Sequence, residues 1–285
     1  MLIKKHICLI LLLIFINQYL AFAEKPPRTI QWKTLEKGLY LAEVKAPRIT
    51  RISDSKVTIL KIDPKFFSFH LLTASEHDSL QRSVKEWSEM GGMIAAINAG
   101  MYGGTSHISN VGYMKNYNHL NNPILKPNYF AIAAFNPIDS TLPPFKIIDL
   151  QNENWELYKD KYQSFSQSMR MIDVNRKPLD WIQKRKMRSS MVVLATDRKG
   201  NVLFIFTRSP YTPNEFIKFM LRLPADIQTA MYLEGGPESS LYLNNGEMVL
   251  EKIGSYVSRT FAHDRNSEFR KMPNVIGIRR IKVKG

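Results

Sequence analysis

Residues 188–209 read RSSMVVLATDRKGNVLFIFTRS. Two apolar, β-branched and aromatic runs flank Asp197-Arg198-Lys199-Gly200, which is turn chemistry, so the stretch predicts an antiparallel hairpin. Thr212-Pro213-Asn214-Glu215 follows as a capping box with proline in the first turn, predicting a helix to about Arg222, with Pro224 beyond it. IQTAMYLEGG (227–236) is a further strand. SSLYLNNGEMVLE (239–251) is two strands around an Asn-Gly turn, and PNVIGIRRIKV (273–283) is a last strand.

Upstream, GLYLAEVKAP (38–47), KVTILKIDP (56–64) and FFSFHLLTA (66–74) alternate apolar and polar residues and read as three strands. A helix is expected next, capped by Asp78 or Ser79, with Leu80, Val84 and Trp87 on one face and Gly91-Gly92 as its stop. MIAAIN (93–98) and YFAIAAFN (129–136) read as buried strands, and 105–128 between them as a long polar loop. Pro137, Pro143 and Pro144 break the chain before a short helix at 151–163. Strands and helices do not alternate strictly, which excludes a doubly wound parallel sheet. The expected fold is α+β: one mixed domain over residues 36–285, with a central, largely antiparallel sheet of about ten strands and two or three packed helices.

The N-terminus has a different grammar. Lys4 and Lys5 precede an apolar run, and Ala21-Phe22-Ala23 is a small-residue cleavage pattern. Residues 1–23 therefore read as a secretory signal peptide, making the protein periplasmic or secreted, with 24–35 as an extended arm. The apolar run is short, and Asn17 and Gln18 interrupt it, so it does not read as a membrane span. The single cysteine, Cys8, lies inside this segment, which excludes a disulfide framework and a thiolate zinc cluster. Its removal takes the formal charge down by two, from +15 to +13. Such a basic surface favours anionic partners, with phosphate-bearing glycans and peripheral contact with an anionic envelope ahead of nucleic acid, which is not expected. Oligomeric state is left open. The 285-residue chain has no Walker loop, no HExxH, no GxSxG and no GxGxxG opening a helix.

Three segments place polar groups at the ends of apolar strands, where strands fix geometry and loops supply chemistry. In Asn98-Ala99-Gly100-Met101-Tyr102-Gly103-Gly104 the glycines permit close backbone approach to a ligand, and Asn98 can both donate to and accept from a sugar hydroxyl. In Arg185-Lys186-Met187-Arg188-Ser189-Ser190, Arg188 at a strand mouth is suited to fork onto a phosphate. In Tyr232-Leu233-Glu234-Gly235-Gly236-Pro237-Glu238-Ser239-Ser240-Leu241 two carboxylates flank a turn with two hydroxyls behind it. Hydrolysis by acid and base needs one carboxyl group protonated and another ionised, and this is the most specific of the three segments. The acids near Glu234 could hold a divalent cation through oxygen. There is no His-rich or Asp-rich ligand spacing, so no cofactor or catalytic metal is expected.

The ordered set INAGMY, QSMRMID (167–173), RSSMVVLATDRKGNVLFI, YLEGGPESSLYLN and MPNVIGI resembles the phosphodiester glycosidase family across about residues 36–283. Ala99, Met169-Arg170, Glu234 and the inserted Pro237-Glu238 depart from the family's usual Gly, Gly-Pro, Asp and compact turn, as in a divergent bacterial branch. The resemblance implies an exported hydrolase that cleaves the glycosyl–phosphate bond of a sugar-1-phosphodiester and leaves a phosphomonoester. Glu234 would be the catalytic carboxylate, either base or charge stabiliser, Arg188 and the Gly100 backbone the phosphate grip, and Asn98 an orienting group. Tyr102, Gly235, Gly236, Glu238, Ser239 and Ser240 would support substrate binding, with His107 as a candidate proton carrier. Two other classes remain: a non-catalytic binder of anionic envelope glycans, and a phosphodiesterase that cleaves the P–O bond.

Overall fold

A computed structural model describes residues 27–46, 48–103, 106–181 and 187–282. The expected signal peptide, with Cys8, and the motif residues Gly104, Arg185 and Lys186 lie outside the described residues. In chain order, strands β1 (Lys33–Glu36), β2 (Leu39–Lys45), β3 (Lys56–Ile62) and β4 (Phe67–Thr73) precede helix α1 (Val84–Met90). Strands β5 (Ala95–Asn98), β6 (Tyr102–Gly103), β7 (Ser106–Asn110), β8 (Met114–Asn116), β9 (His119–Asn122), β10 (Ala131–Pro137), β11 (Phe145–Asp149) and β12 (Tyr162–Ile172) follow. The hairpin β13 (Ser189–Asp197) and β14 (Val202–Tyr211) leads into α2 (Pro213–Arg222). Strands β15 (Ile227–Gly235), β16 (Ser240–Asn244), β17 (Val249–Ile253) and β18 (Asn274–Arg280) complete the chain.

Every paired strand is antiparallel, but the expectation of one central sheet is corrected to two sheets and a ribbon. The larger sheet runs β1-β2-β3-β14-β13-β15-β12-β10-β11, with β8 and β9 joined at β12. The smaller runs β17-β16-β5-β18-β4, and β6-β7 is a separate ribbon. Strand accounts for 47% of the described residues and helix for 11%, so the sheets carry the architecture. The physical reason is that β13 and β14 are apolar on both faces. Val192, Leu194, Phe204 and Phe206 pack with Phe69, Ile97, Leu241 and Ile276 between the two sheets. Met191, Val193, Leu203 and Ile205 turn the other way and are covered by Phe216, Ile217, Phe219 and Met220 of α2. Helix α1 covers the far face of the smaller sheet, with Val84 and Trp87 against Ala96, Tyr242 and Val275. A side chain of this size fully buried is worth about 1.5–3 kcal/mol, so each layer needs its cover.

The 188–209 hairpin has the expected pairing, with Leu194 opposite Phe204 and Val192 opposite Phe206. The α2 capping box is also present: Thr212 Oγ1 accepts from Glu215 N–H, and Glu215 accepts in return from Thr212 N–H. Three local expectations are corrected. Helix α1 is capped by Ser83, not by Asp78 or Ser79, because Ser83 and Glu86 form the reciprocal box. Asp78 pairs instead with Arg82, and Leu80 is 60% exposed. The polar stretch 105–128 folds back on itself, its strands held by asparagines such as Asn121, whose Oδ1 accepts from Asn110 N–H at 2.8 Å. Residues 151–163 hold only a 3-10 turn at Trp155–Leu157 before β12 begins.

One connection positions the site. Strand β15 lies inside the larger sheet, pairing with β13 and β12. Six residues after Glu234 the chain enters β16, which pairs with β5 in the smaller sheet, Leu241 opposite Ile97. The Glu-Gly-Gly-Pro-Glu turn is thus the stitch between the two sheets, and it brings the end of β15 to the end of β5.

Candidate functional site

Glu234 is the penultimate residue of β15 and is half-buried. Gly235 N–H donates to its Oε1 at 3.0 Å. Burial pushes the carboxyl group up to about 8 and the nearby charge of Glu238 adds to the rise, while the backbone N–H groups of Gly235 and Tyr102 hold it back. Glu238, half-buried in the following 3-10 turn, is also raised, chiefly by burial, and Arg270 opposes the rise. The Glu238 charge thus disfavours ionisation of Glu234, while Arg270 favours that of Glu238, so the two acids sit in different electrostatic settings.

The turn between them is braced from within. Ser239 Oγ donates to the Glu234 carbonyl and Ser240 Oγ to the Glu238 carbonyl, both at 3.1 Å, and both serines are fully buried. These hydroxyls are therefore spent on the turn. Gly235 is required by space: a Cβ there would stand 2.0 Å from the Tyr232 hydroxyl and 2.9 Å from Ser189 Oγ. Gly236, also buried, has a φ of +74°.

The first motif meets this turn. Asn98 is buried at the end of β5, and its Oδ1 accepts from Ser240 N–H at 3.2 Å. Its buried Nδ2 has no hydrogen-bond partner among the described residues. Tyr102 feels both carboxylates, and burial together with their charges raises its phenol; its hydroxyl donates to the Lys271 carbonyl at 3.4 Å. Gly100 is buried, with a φ of +137°, and a Cβ there would lie 2.7 Å from Asn110 Oδ1, an acceptor with no donor of its own. Its neighbourhood is therefore packed inward, under Asn110 and Ser166.

Arg188 directs its guanidinium to another partner. Its Nη2 donates to Glu215 Oε1 at 2.9 Å, which ties it to the N-terminal turn of α2, and its buried Nη1 has no partner among the described residues. The adjoining Ser189 does reach the site, at Gly235. His107 has an exposed side chain on β7, and its carbonyl accepts from Gln81 Nε2 at 2.6 Å. Of Asn98, Arg188 and Glu234, the fold joins the first and the last. Among the described residues no three His, Cys, Asp or Glu side chains are grouped to hold a metal ion.

Three site residues escaped the sequence reading. Tyr129, whose phenol is raised by burial and by the Glu234 charge, comes from the start of YFAIAAFN. Tyr232, raised by burial and then by Glu234, lies within the third motif but carried no role. Arg270 is the cation beside Glu238, in the segment before the last strand. Its only signal was an Arg-Lys pair ahead of MPNVIGI. Arg170 of QSMRMID has a different duty: it forms a buried ion pair with Asp149, and its Nη2 donates to Gln151 Oε1 at 2.6 Å. Arg and Met at the Gly-Pro position are thus accommodated by a partner on β11.

The sequence profile described as phosphodiester glycosidase matches residues 91–279, which include β5, the β15 turn and the 261–271 segment. No curated protein matches the chain. Among solved structures, a hypothetical protein from Synechocystis is similar with a TM-score of 0.60 at 13% identity, over 88% of this chain and 64% of that one. The present chain thus spans under two thirds of that relative's length. The catalytic domain of zebrafish N-acetylglucosamine-1-phosphodiester alpha-N-acetylglucosaminidase, auto-inhibited by its pro-peptide, is similar with a TM-score of 0.56 at 13% identity, over 90% of this chain and 86% of that one. At this identity both likenesses concern the fold.

Proposed function

Because this chain belongs to the phosphodiester glycosidase family, we propose that it is an exported hydrolase that cleaves the glycosyl–phosphate bond of a sugar-1-phosphodiester. The observation that carries this reading is the Glu234–Glu238 pair, with one acid raised to about 8 and the other attended by Arg270. A phosphodiester is an anion, and a carboxylate against it is repelled. Glu234 in its protonated form instead donates a hydrogen bond to a phosphoryl oxygen, and its proton follows the leaving phosphate. Glu238, ionised, takes a proton from water and stabilises the positive charge that develops at the anomeric carbon. The water oxygen bonds to that carbon as the carbon–oxygen bond to phosphate breaks, giving free sugar and a phosphomonoester. Asn98 acts from beneath the site as a positioning residue, its Oδ1 holding the turn through Ser240 N–H. In this reading the phosphate grip passes from Arg188, engaged by Glu215, to Arg270. Export rests on the N-terminal sequence pattern.

The test is incubation of purified protein with methyl N-acetylglucosaminyl phosphodiester in heavy-oxygen water. Heavy oxygen in the released sugar is expected. Label in the phosphate would make the protein a phosphodiesterase that breaks the P–O bond. Binding of the diester without turnover would make it a glycan binder.

A further inference from the structure

A groove of about 610 Å³ opens in the segment between β17 and β18, lined by Phe261, Arg265, Glu268, Phe269, Arg270 and Lys271 among others. Its three cations are exposed, and among the described residues none of them makes an ion pair within 4.0 Å. Asp264, beside Arg265 in the chain, is taken by Arg208, while Glu86 and Glu238 act at longer range on Lys271 and Arg270. Glu268 is the one acid in the lining.

The backbone of this groove is pinned from behind. Arg208 spends its guanidinium on it, Nε on Asp264 Oδ1 (2.8 Å), Nη2 on the Asn266 carbonyl (2.8 Å) and Nη1 on the Ile253 carbonyl (2.7 Å). Asn266 Nδ2 donates to the Gly254 carbonyl at 2.7 Å, and Ser255 Oγ to the His263 carbonyl at 3.1 Å. On the far side Trp87 Nε1–H donates to the Met272 carbonyl at 2.8 Å. A loop anchored at both ends presents Arg265, Arg270 and Lys271 without having to order them first, which lowers the entropic penalty of binding. The Arg270 guanidinium lies 5.5 Å over the Phe261 ring, which further limits its freedom.

The groove also adjoins the reacting centre. Arg270 acts on Glu238 and Tyr102, and the Lys271 carbonyl accepts from the Tyr102 hydroxyl. A substrate whose scissile phosphate lies at the two glutamates therefore extends its leaving-group side past Arg270 toward Arg265 and Lys271. One phosphate does not need three cations, and a neutral leaving group would leave them unused.

We propose that this groove is the subsite for the leaving-group side of the substrate, and that it takes a second phosphate carried by that group, as in a polymer with phosphate in each repeat. This rests on the Glu234–Glu238 reading for its orientation, but the anion site stands on the groove itself. The experiment uses a synthetic glycerol phosphate oligomer as probe, with wild type and the charge reversal Arg265→Glu/Lys271→Glu. Wild type is expected to bind the oligomer about tenfold more tightly at low salt, and the difference is expected to fade as salt rises. Equal binding by the two proteins overturns the proposal. The neutralised Arg265→Gln/Lys271→Gln, checked by thermal unfolding, gives the same reading if the reversal unfolds. Hydrolysis supplies a second measurement. The ratio of kcat/KM for an N-acetylglucosaminyl phosphodiester of glycerol phosphate to that for the methyl diester should be about five or more in wild type, and fall toward one in the reversal. A wild-type ratio of one overturns the proposal. Groove-dependent binding with no hydrolysis of either diester supports the anion subsite and refutes the hydrolase reading alone.

Discussion

Replacing Glu234 by glutamine is expected to stabilise the protein while removing turnover. The side chains are nearly isosteric, and the glutamine oxygen can still accept from Gly235 N–H, the 3.0 Å contact made by the glutamate. In the folded protein the Glu234 carboxyl group titrates at about 8, against an ordinary value of 4.5. Each unit of that difference is worth about 1.4 kcal/mol. Because the folded value lies above the unfolded one, the carboxyl group's contribution to stability is whole below about pH 4.5 and is lost as pH rises through about 8. Glutamine has no such dependence. Its advantage over glutamate should be below about 1 kcal/mol near pH 5, about 3 kcal/mol near pH 7 and about 4 kcal/mol near pH 8. Urea denaturation of both proteins, followed by tryptophan fluorescence at the three pH values, measures it. On the same samples kcat should fall about a hundredfold or more if Glu234 transfers a proton. A stability difference that does not change with pH would refute the reasoning, since it would mean that Glu234 titrates normally in the folded state.

Turnover should follow a bell-shaped pH profile, its lower limb set by Glu238 above the ordinary glutamate value and its upper limb falling near pH 8. Glu238→Gln should abolish the lower limb, and a lower limb that survives the change would remove Glu238 from the mechanism. Arg170→Ala should destabilise the protein by about 3–5 kcal/mol in denaturant melts, because it leaves the buried Asp149 carboxylate without its partner. A change under about 1 kcal/mol would show that Asn152 and the Gln151 N–H, which also bond Asp149, suffice alone. Gly235→Ala should reduce kcat/KM about tenfold or more, since its methyl would sit 2.0 Å from the Tyr232 hydroxyl. Adding Tyr232→Phe removes that oxygen and should restore part of the loss; no recovery would place the fault elsewhere in the turn.

Much of the local structure was legible in the chain because it depends on short-range physics. The hairpin at 188–209 follows from two runs of β-forming residues around a turn, and α2 follows from a capping box four residues long. Helix α1 was misplaced at its start because two capping signals compete over 78–86, and the Ser83–Glu86 box, with Val84 and Trp87 behind it, outweighs Asp78. The stretch 105–128 looked like a loop because its short strands are polar and are held by asparagine side chains rather than by apolar faces.

The site divides along the same line. Glu234, Glu238 and Asn98 stood out because each lies in a segment that places polar groups at the end of an apolar strand. Arg188 stood out by the same rule, yet its guanidinium is engaged by Glu215 from the next helix. No pattern in its own segment reports that partner. Arg270 and Tyr129 come near the glutamates from distant parts of the chain, with nothing at their own positions to mark them.

What the sequence determined alone was the longer apolar strands, their hairpin turns, the family motifs and the candidate acids, all encoded within windows of a few residues. Only the tertiary structure decided that the strands divide into two sheets and that the Glu234–Glu238 turn crosses between them. It also decided that Arg270 acts on Glu238 and that Arg188 pairs with Glu215. Those outcomes depend on which apolar faces cover one another across the chain, and long-range packing of that kind leaves no local trace.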